Sequence, residues 1–312
     1  MNRTILIELK RAIRLNLEEL ANQIVISKGA YLSNRDLVCL FNYMNMQNTH
    51  PYEIVEYLHN ATAKRIPVPL YCFSMGDACC WGHTNVVRLL LKDSNRNKYP
   101  DSDNSYTIRI ASVNGHTEVV RLLLEDGRAD PTVDDDYAIR HSSMYGYVEI
   151  VRLLLADGRS NPRASGDIAI QMASQRGHTE VVRLLLEDGR TDPGARFNEA
   201  LYTAINNKQE KIAQMLLEDC RTNPGDNQNS IFLLACLRGY ADIVRTMLLD
   251  DRVDPAYPNN CGIEYACKGC HVDTMRVLLA DDRVVSAGLY GAMHRCNDAI
   301  INLLMEAMKR DV

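Results

Sequence analysis

One ten-residue phrase constrains this chain more than anything else in it. Gly115-His116-Thr117-Glu118-Val119-Val120-Arg121-Leu122-Leu123-Leu124 returns as Gly146-Tyr147-Val148-Glu149-Ile150-Val151-Arg152-Leu153-Leu154-Leu155. It returns again from Gly177 to Leu186. An earlier copy starts at Gly82, and worn copies start at Lys208, Gly239 and Cys270. From Gly115 to Cys270 the step is 31 residues each time. Self-similarity at a fixed period of this length marks stacked units that share one continuous core. A chain of 312 residues would otherwise suggest about two globular domains. A repeat overrides that expectation, because it adds units without adding a new core.

Each unit carries its own punctuation. A first helix, such as Tyr106 to Ser112, ends at Gly115, where a left-handed backbone costs glycine nothing. Thr117 is placed to cap a second helix, and Glu118 lies at its positive end. Val119, Val120, Leu122 and Leu123 form one apolar face, and Arg121 between them points outward. Gly127, Gly158 and Gly189 take the slot that closes this helix. Cys220, Asp251 and Asp282 replace them later, and Asp tolerates a left-handed conformation better than Cys does. A short extended piece follows, with Pro131, Pro162, Pro193, Pro224 and Pro255 again 31 apart. The copy at Lys208 is the most degenerate, yet Ile212, Ala213, Leu216 and Leu217 keep its apolar face.

The flanks are less regular. Leu6, Leu9, Ile13, Leu17, Leu20 and Ile24 make one helical stripe over residues 3–27, and Asn34 to Met46 reads as a second helix. The segment from Thr49 to Leu58 reads as a divergent repeat with Pro51 opening its second helix. These features divide the chain into N-terminal helices and a divergent capping repeat over 1–66, seven recognisable repeats over 67–284, and capping helices over 285–312.

A helix, a Gly-His turn, a Glu-Val-Val-x-Leu-Leu-Leu helix and a short finger together resemble the ankyrin repeat. The resemblance covers about residues 70–280 and implies an all-α solenoid of stacked helix pairs that binds a partner protein on its concave face. The sequence departs from the family in two places. Tyr137-Ala138-Ile139-Arg140 and Ile168-Ala169-Ile170-Gln171 stand where the family carries Thr-Pro-Leu-His, so the usual histidine network at that turn is expected to be absent. The period is 31 where the family's is about 33, which predicts shortened or poorly formed finger hairpins. The Asp-Tyr-Ala-Ile-Arg opening at Asp136 is similar to the expanded ankyrin arrays of giant DNA viruses and amoebae.

Motifs that hint at chemistry dissolve when aligned on the repeat. Cys267-Lys268-Gly269-Cys270-His271 spells a haem-attachment motif, but Cys267 takes the slot of Ser112 and Ser174, Cys270 the glycine slot, and His271 the slot of His116 and His178. His83, His116, His178 and His271 therefore read as one structural position, not as metal ligands or bases. Arg88, Arg121, Arg152, Arg183, Arg245 and Arg276 read as a solvated ladder, offset by Glu118, Glu149, Glu180, Asp242 and Asp273 three residues earlier. Asp134-Asp135-Asp136 lacks the spaced ligands of a calcium loop. No catalytic residue, cofactor or metal is expected. A net charge of −5 argues against nucleic acid or an anionic membrane as partner. No apolar run approaches a bilayer span, and no secretory h-region opens the chain. The ten cysteines read as reduced thiols of an intracellular, cytoplasmic monomer (in the host cytoplasm, if the source is viral).

Candidate partner contacts follow from which positions vary between units while the core slots stay fixed. They are Val113, Asn114, Met144, Tyr145, Gln175, Arg176, Asn206, Asn207, Leu237 and Arg238 before each turn, and Asp103, Ser105, Asp134, Asp136, Asp167 and Asn198 in the fingers. Tyr145 and Arg176 are the expected anchors, since Tyr and Arg are over-represented among binding hot spots. Leu153, in the apolar run, is the expected core counterpart. A second reading rests on Tyr31 to Leu40, which is similar to the middle of an F-box. In that reading residues 1–60 recruit ubiquitin-ligase machinery and the array holds a substrate.

Overall fold

The computed structural model describes residues 2–14, 75–92, 104–257, 261–284 and 298–310. The second predicted helix, the Pro51 repeat and the F-box-like segment lie outside these residues. All sixteen described elements are helices, and the chain divides into two compact units, residues 1–138 and 139–312.

The first unit holds α1 (Asn2–Arg14), α2 (Met75–Cys80), α3 (Thr84–Lys92), α4 (Asn104–Val113) and α5 (Thr117–Asp126). Ile5, Leu9 and Ala12 of α1 recur at steps of four and three and are buried. First helices stack on first helices, α2 on α4, and second helices on second helices, α3 on α5. Helix α6 (Val133–Tyr145) runs through the division.

The second unit repeats that layering at greater length. Its first-helix layer is α8 (Ala164–Arg176), α10 (Ala195–Asn206), α12 (Asp226–Arg238) and α14 (Cys261–Lys268). Its second-helix layer is α7 (Val148–Asp157), α9 (Thr179–Asp188), α11 (Glu210–Glu218), α13 (Ala241–Leu248) and α15 (Val272–Leu278), ending against α16 (Asp298–Arg310). The core lies between the layers, where Ile150, Val151 and Leu154 of α7 and their counterparts in α9 are buried.

Several local expectations need correction. Thr117 and Thr179 begin their helices but do not cap them: His116 and His178 hold the N-cap position, with no side-chain cap bond. The apolar face is narrower than its leucine count suggests, since Leu122 and Leu153 are only half-buried. Gly127, Gly158 and Gly189 do close their helices in the left-handed conformation. Cys220, Asp251 and Asp282 do not adopt it: the α11 end, for one, leaves through an extended Asp219.

The fingers differ most from expectation. Among the described residues there is no strand, so no hairpin forms. Five of the described fingers are instead Asx-Pro turns. Asp130, Asn161, Asp192, Asn223 and Asp254 accept from the backbone N–H two residues on, at 2.9–3.1 Å. Pro at the next position presets φ for that turn. Three consecutive left-handed residues then lead into the next first helix: Asp134 to Asp136, Ser165 to Asp167, Arg196 to Asn198 and Asn227 to Asn229. A left-handed residue that carries a Cβ costs about 1–2 kcal/mol. Asp, Asn and Gly tolerate it best, and they fill most of these positions.

Candidate protein-binding surface

The turn between the two helices of a unit is built across the joint with its neighbour. His178 Nε2 lies 3.1 Å from the carbonyl of Met144, and His271 Nε2 lies 3.0 Å from that of Leu237. In the first unit His116 makes the same bond to Cys80 at 2.9 Å. Each imidazole rests on the preceding turn's glycine: a Cβ on Gly146 would stand 2.5 Å from Nδ1 of His178. The glycine slot is thus fixed twice, by positive φ and by the ring above it. His83 is half-buried, and burial followed by the nearby His116 lowers its pKa to about 4, so it is neutral at physiological pH.

The histidines are therefore structural, as their recurrence implied, but they form a network of their own. That network replaces the one whose motif the sequence lacks. The haem-like motif is likewise absorbed into the stack. Cys267 is buried and disulfide-bonded, which corrects the expectation of uniformly reduced thiols and removes the sulfur a haem would need. The arginine ladder is as the acids implied. Arg121 and Arg183 pair with Glu118 and Glu180 at 3.4 Å, and Arg276 with Asp273 at 3.1 Å.

A second arginine column escaped the sequence reading. Arg128, Arg159, Arg190, Arg221, Arg252 and Arg283 stand 31 apart, each two residues after an aspartate, in the six copies from Gly115 to Cys270. Arg221 donates to Asp219 and reaches the previous unit's Thr191 carbonyl at 2.6 Å and Gly189 carbonyl at 3.0 Å. Arg190, Arg252 and Arg283 repeat the arrangement. Hydrogen bonds from these arginines hold Asp219, Asp250 and Asp281 below the usual carboxylate range. The guanidinium fork satisfies loose carbonyls at the end of one helix pair from the next pair in line.

The candidate contacts separate into three groups. Asn114, Tyr145, Gln175, Arg176, Asn206, Asn207, Leu237, Arg238 and Asp134 are exposed, and Ser105, Val113 and Met144 are half-buried. Within the second unit, Arg176 sits over the Tyr145 ring at 5.8 Å and Arg238 donates to Asn206 at 2.7 Å. Asp103 lies outside the described residues. Asp136, Asp167 and Asn198, however, are only 6%, 2% and 0% exposed, so they are not partner contacts. They end the left-handed triplets and turn inward. Asn198 donates to the Asn223 carbonyl at 2.9 Å and accepts from the Asn223 N–H at 3.0 Å. Asn229 donates to the Asp254 carbonyl at 2.8 Å, and Asp167 accepts from the Asp192 N–H at 2.6 Å. A buried Asx thus pins the Asx-Pro turn of the next unit.

Two stretches of the sequence, residues 43–135 and 137–226, match the family model described as ankyrin repeats (3 copies). The chain belongs to the ankyrin-repeat family. No curated protein matches it. Among solved structures it is similar to the ankyrin repeat domain of Bcl-3, a member of the IkappaB protein family. That likeness has a TM-score of 0.52 at 21% identity, over 64% of this chain and 97% of that one, and it speaks to fold alone. In all, 179 solved chains resemble this ankyrin stack, so the fold by itself does not choose a partner. Among the described residues no helix is long and apolar enough to cross a membrane, and no group of side chains is arranged to hold a metal.

Asp167 makes one consequence testable. Burial, opposed by its bonds to Asp192 and Arg163, raises its pKa, whereas Asn198 fills the same slot without charge. A raised folded pKa stabilises below the unfolded value near 3.8 and loses that contribution as pH rises through the folded value. Asp167→Asn should therefore stabilise the chain at pH 7 by on the order of 1 kcal/mol. The two chains should converge near pH 3. Thermal melts across that range check this, and a gain independent of pH would contradict it.

Proposed function

We propose that this ankyrin stack is a protein-binding scaffold whose inner face, formed by the first helices and the turns that end them, holds a partner protein. The mechanism is recognition by a preorganised surface, without chemistry. The observation that carries the reading is the Tyr145–Arg176 pair: an exposed aromatic and a cation stacked upon it, held on adjoining helix ends by a buried core. Around it the turn positions change from unit to unit, Gln175 and Arg176, then Asn206 and Asn207, then Leu237 and Arg238. The histidine and glycine slots beside them serve the stack itself.

The test compares the intact chain with Tyr145→Ala and Arg176→Ala. Proteins retained from cell extract by the intact chain and lost by both variants, with melts within about 0.5 kcal/mol of the parent, support the reading. Purified partners should then bind each variant about tenfold more weakly or worse. Retention indifferent to both substitutions would place binding elsewhere on the chain.

A further inference from the structure

We propose that the inner face of the second unit takes an acidic segment of a partner protein that carries a bulky apolar side chain. This rests on the inner-face reading above and gives the partner a chemistry.

The first observation is charge. The chain as a whole is acidic, at −5, yet three turns that touch one another present Arg176, Lys208 and Arg238. The turns are neighbours because Gln209 stands where a Cβ of Gly177 would be, and Arg238 reaches Asn206. Among the described residues none of the three cations meets a carboxylate. Arg176 lies over Tyr145 and Arg238 donates to a neutral amide. Glu180 and Asp242, the nearest acids along the chain after Arg176 and Arg238, are engaged by Arg183 and Arg245 on their own helices. Glu210 is the opposing charge, and Lys211 follows it directly. Cations left without local partners along one edge favour carboxylates brought by another molecule.

The second observation is Phe197. It is 72% exposed and left-handed at φ 60°. A phenylalanine there gains neither burial nor the local tolerance of Asn or Gly, and its own triplet ends in Asn198, which does the structural work. An exposed aromatic held against its conformational preference is explained by a contact that forms only on binding. Tyr202, further along α10, is a second exposed aromatic on the same helix. Aromatic rings beside cations also suit single-stranded nucleic acid. Three cations opposed by Glu210, on a chain of net charge −5, are too few to hold a continuous run of phosphates.

The test is selection from a random twelve-residue peptide library by the full chain, followed by titration of synthetic peptides. Enriched sequences should place Asp or Glu within a few residues of Phe, Trp or Leu. Their Kd should rise about tenfold between 50 and 300 mM salt. Arg176→Glu combined with Arg238→Glu should weaken them at least about thirtyfold. Phe197→Gly should weaken them about tenfold without lowering the melting temperature, because glycine accepts the left-handed backbone. Enrichment of neutral or basic sequences, or of none, overturns the proposal. So does tighter binding of a twenty-nucleotide oligothymidylate than of any peptide. If neutral or basic binders are still lost on Tyr145→Ala, the inner-face reading stands and only the acidic chemistry fails. If Tyr145→Ala leaves them bound, both fail.

Discussion

Replacing Leu154 with alanine should cost on the order of 2–5 kcal/mol, and the same change at Leu153 less than about 2 kcal/mol. The two residues are neighbours of identical chemistry, so the contrast isolates burial. Leu154 is fully buried, with Ile150 and Val151 on the same face of α7 and α9 packed against it. Leu153 is half-buried on the flank of that helix, where water can occupy part of the space left by truncation. The loss at Leu154 has two parts, the transfer of its side chain out of water and the cavity left between two rigid layers. Urea titrations of both variants, followed by helical circular dichroism, give the comparison directly. Equal losses would mean that the second helices are rotated from the placement described here. In a repeat stack the damage can remain local, so a fall in the steepness of the Leu154→Ala transition would mark units that melt separately.

That pair of leucines also shows how far the sequence could be read. A recurring apolar run, three leucines in the copies at Gly82, Gly115, Gly146 and Gly177, announces a helix with an apolar stripe, and with the fixed period it carries the fold class and the glycine turns. It does not say which leucine sits deepest. That depends on the rotation of the helix against its neighbour in the stack, a contact about 31 residues away in sequence. The same distance hid the partners of the histidines. Their recurrence showed that the slot was structural, but only the fold shows His178 resting on Gly146.

The surface was legible only in part, and the reason lies in one criterion. Variation between units marks a position as surface, and constancy marks it as core. Applied to apolar residues the criterion works, because cores are apolar. Polar columns escape it, because a constant polar residue carries no apolar signal of burial. Six arginines from Arg128 to Arg283 stay Arg, and Asp136, Asp167, Asn198 and Asn229 stay Asx, two constant polar columns. Arg190, Arg221, Arg252 and Arg283, like Asp167, Asn198 and Asn229, prove to join neighbouring repeats of the second unit. Phe197 was passed over for the opposite reason. A lone aromatic in a polar finger carries no periodic signal, and its exposure and left-handed backbone appear only in three dimensions.

The joint role of the Asx column has a sharp consequence at Asn198. Asn198→Ala should destabilise the chain by about 2–3 kcal/mol, far beyond the usual effect of changing a polar finger residue. The side chain is fully buried and bonds both the N–H and the carbonyl of Asn223, with a further bond to Asp226 at 3.2 Å. Alanine leaves the Asn223 N–H without its partner and the Asn223 carbonyl with only the Asp226 N–H, in a loop that the rigid turn of Pro224 keeps from rearranging. Asn198→Asp separates hydrogen bonding from charge. It keeps the acceptor for the Asn223 N–H, loses the donor, and sets a carboxylate against Asp226. It should match alanine at pH 7 and recover toward the parent as the pH falls below about 4, where carboxylates protonate. Denaturant midpoints at the two pH values decide the matter. A parent-like midpoint for Asn198→Ala would mean that the stack is joined by its apolar layers and arginine forks alone. The buried Asx would then be a consequence of the left-handed turn, with no part in holding one unit to the next.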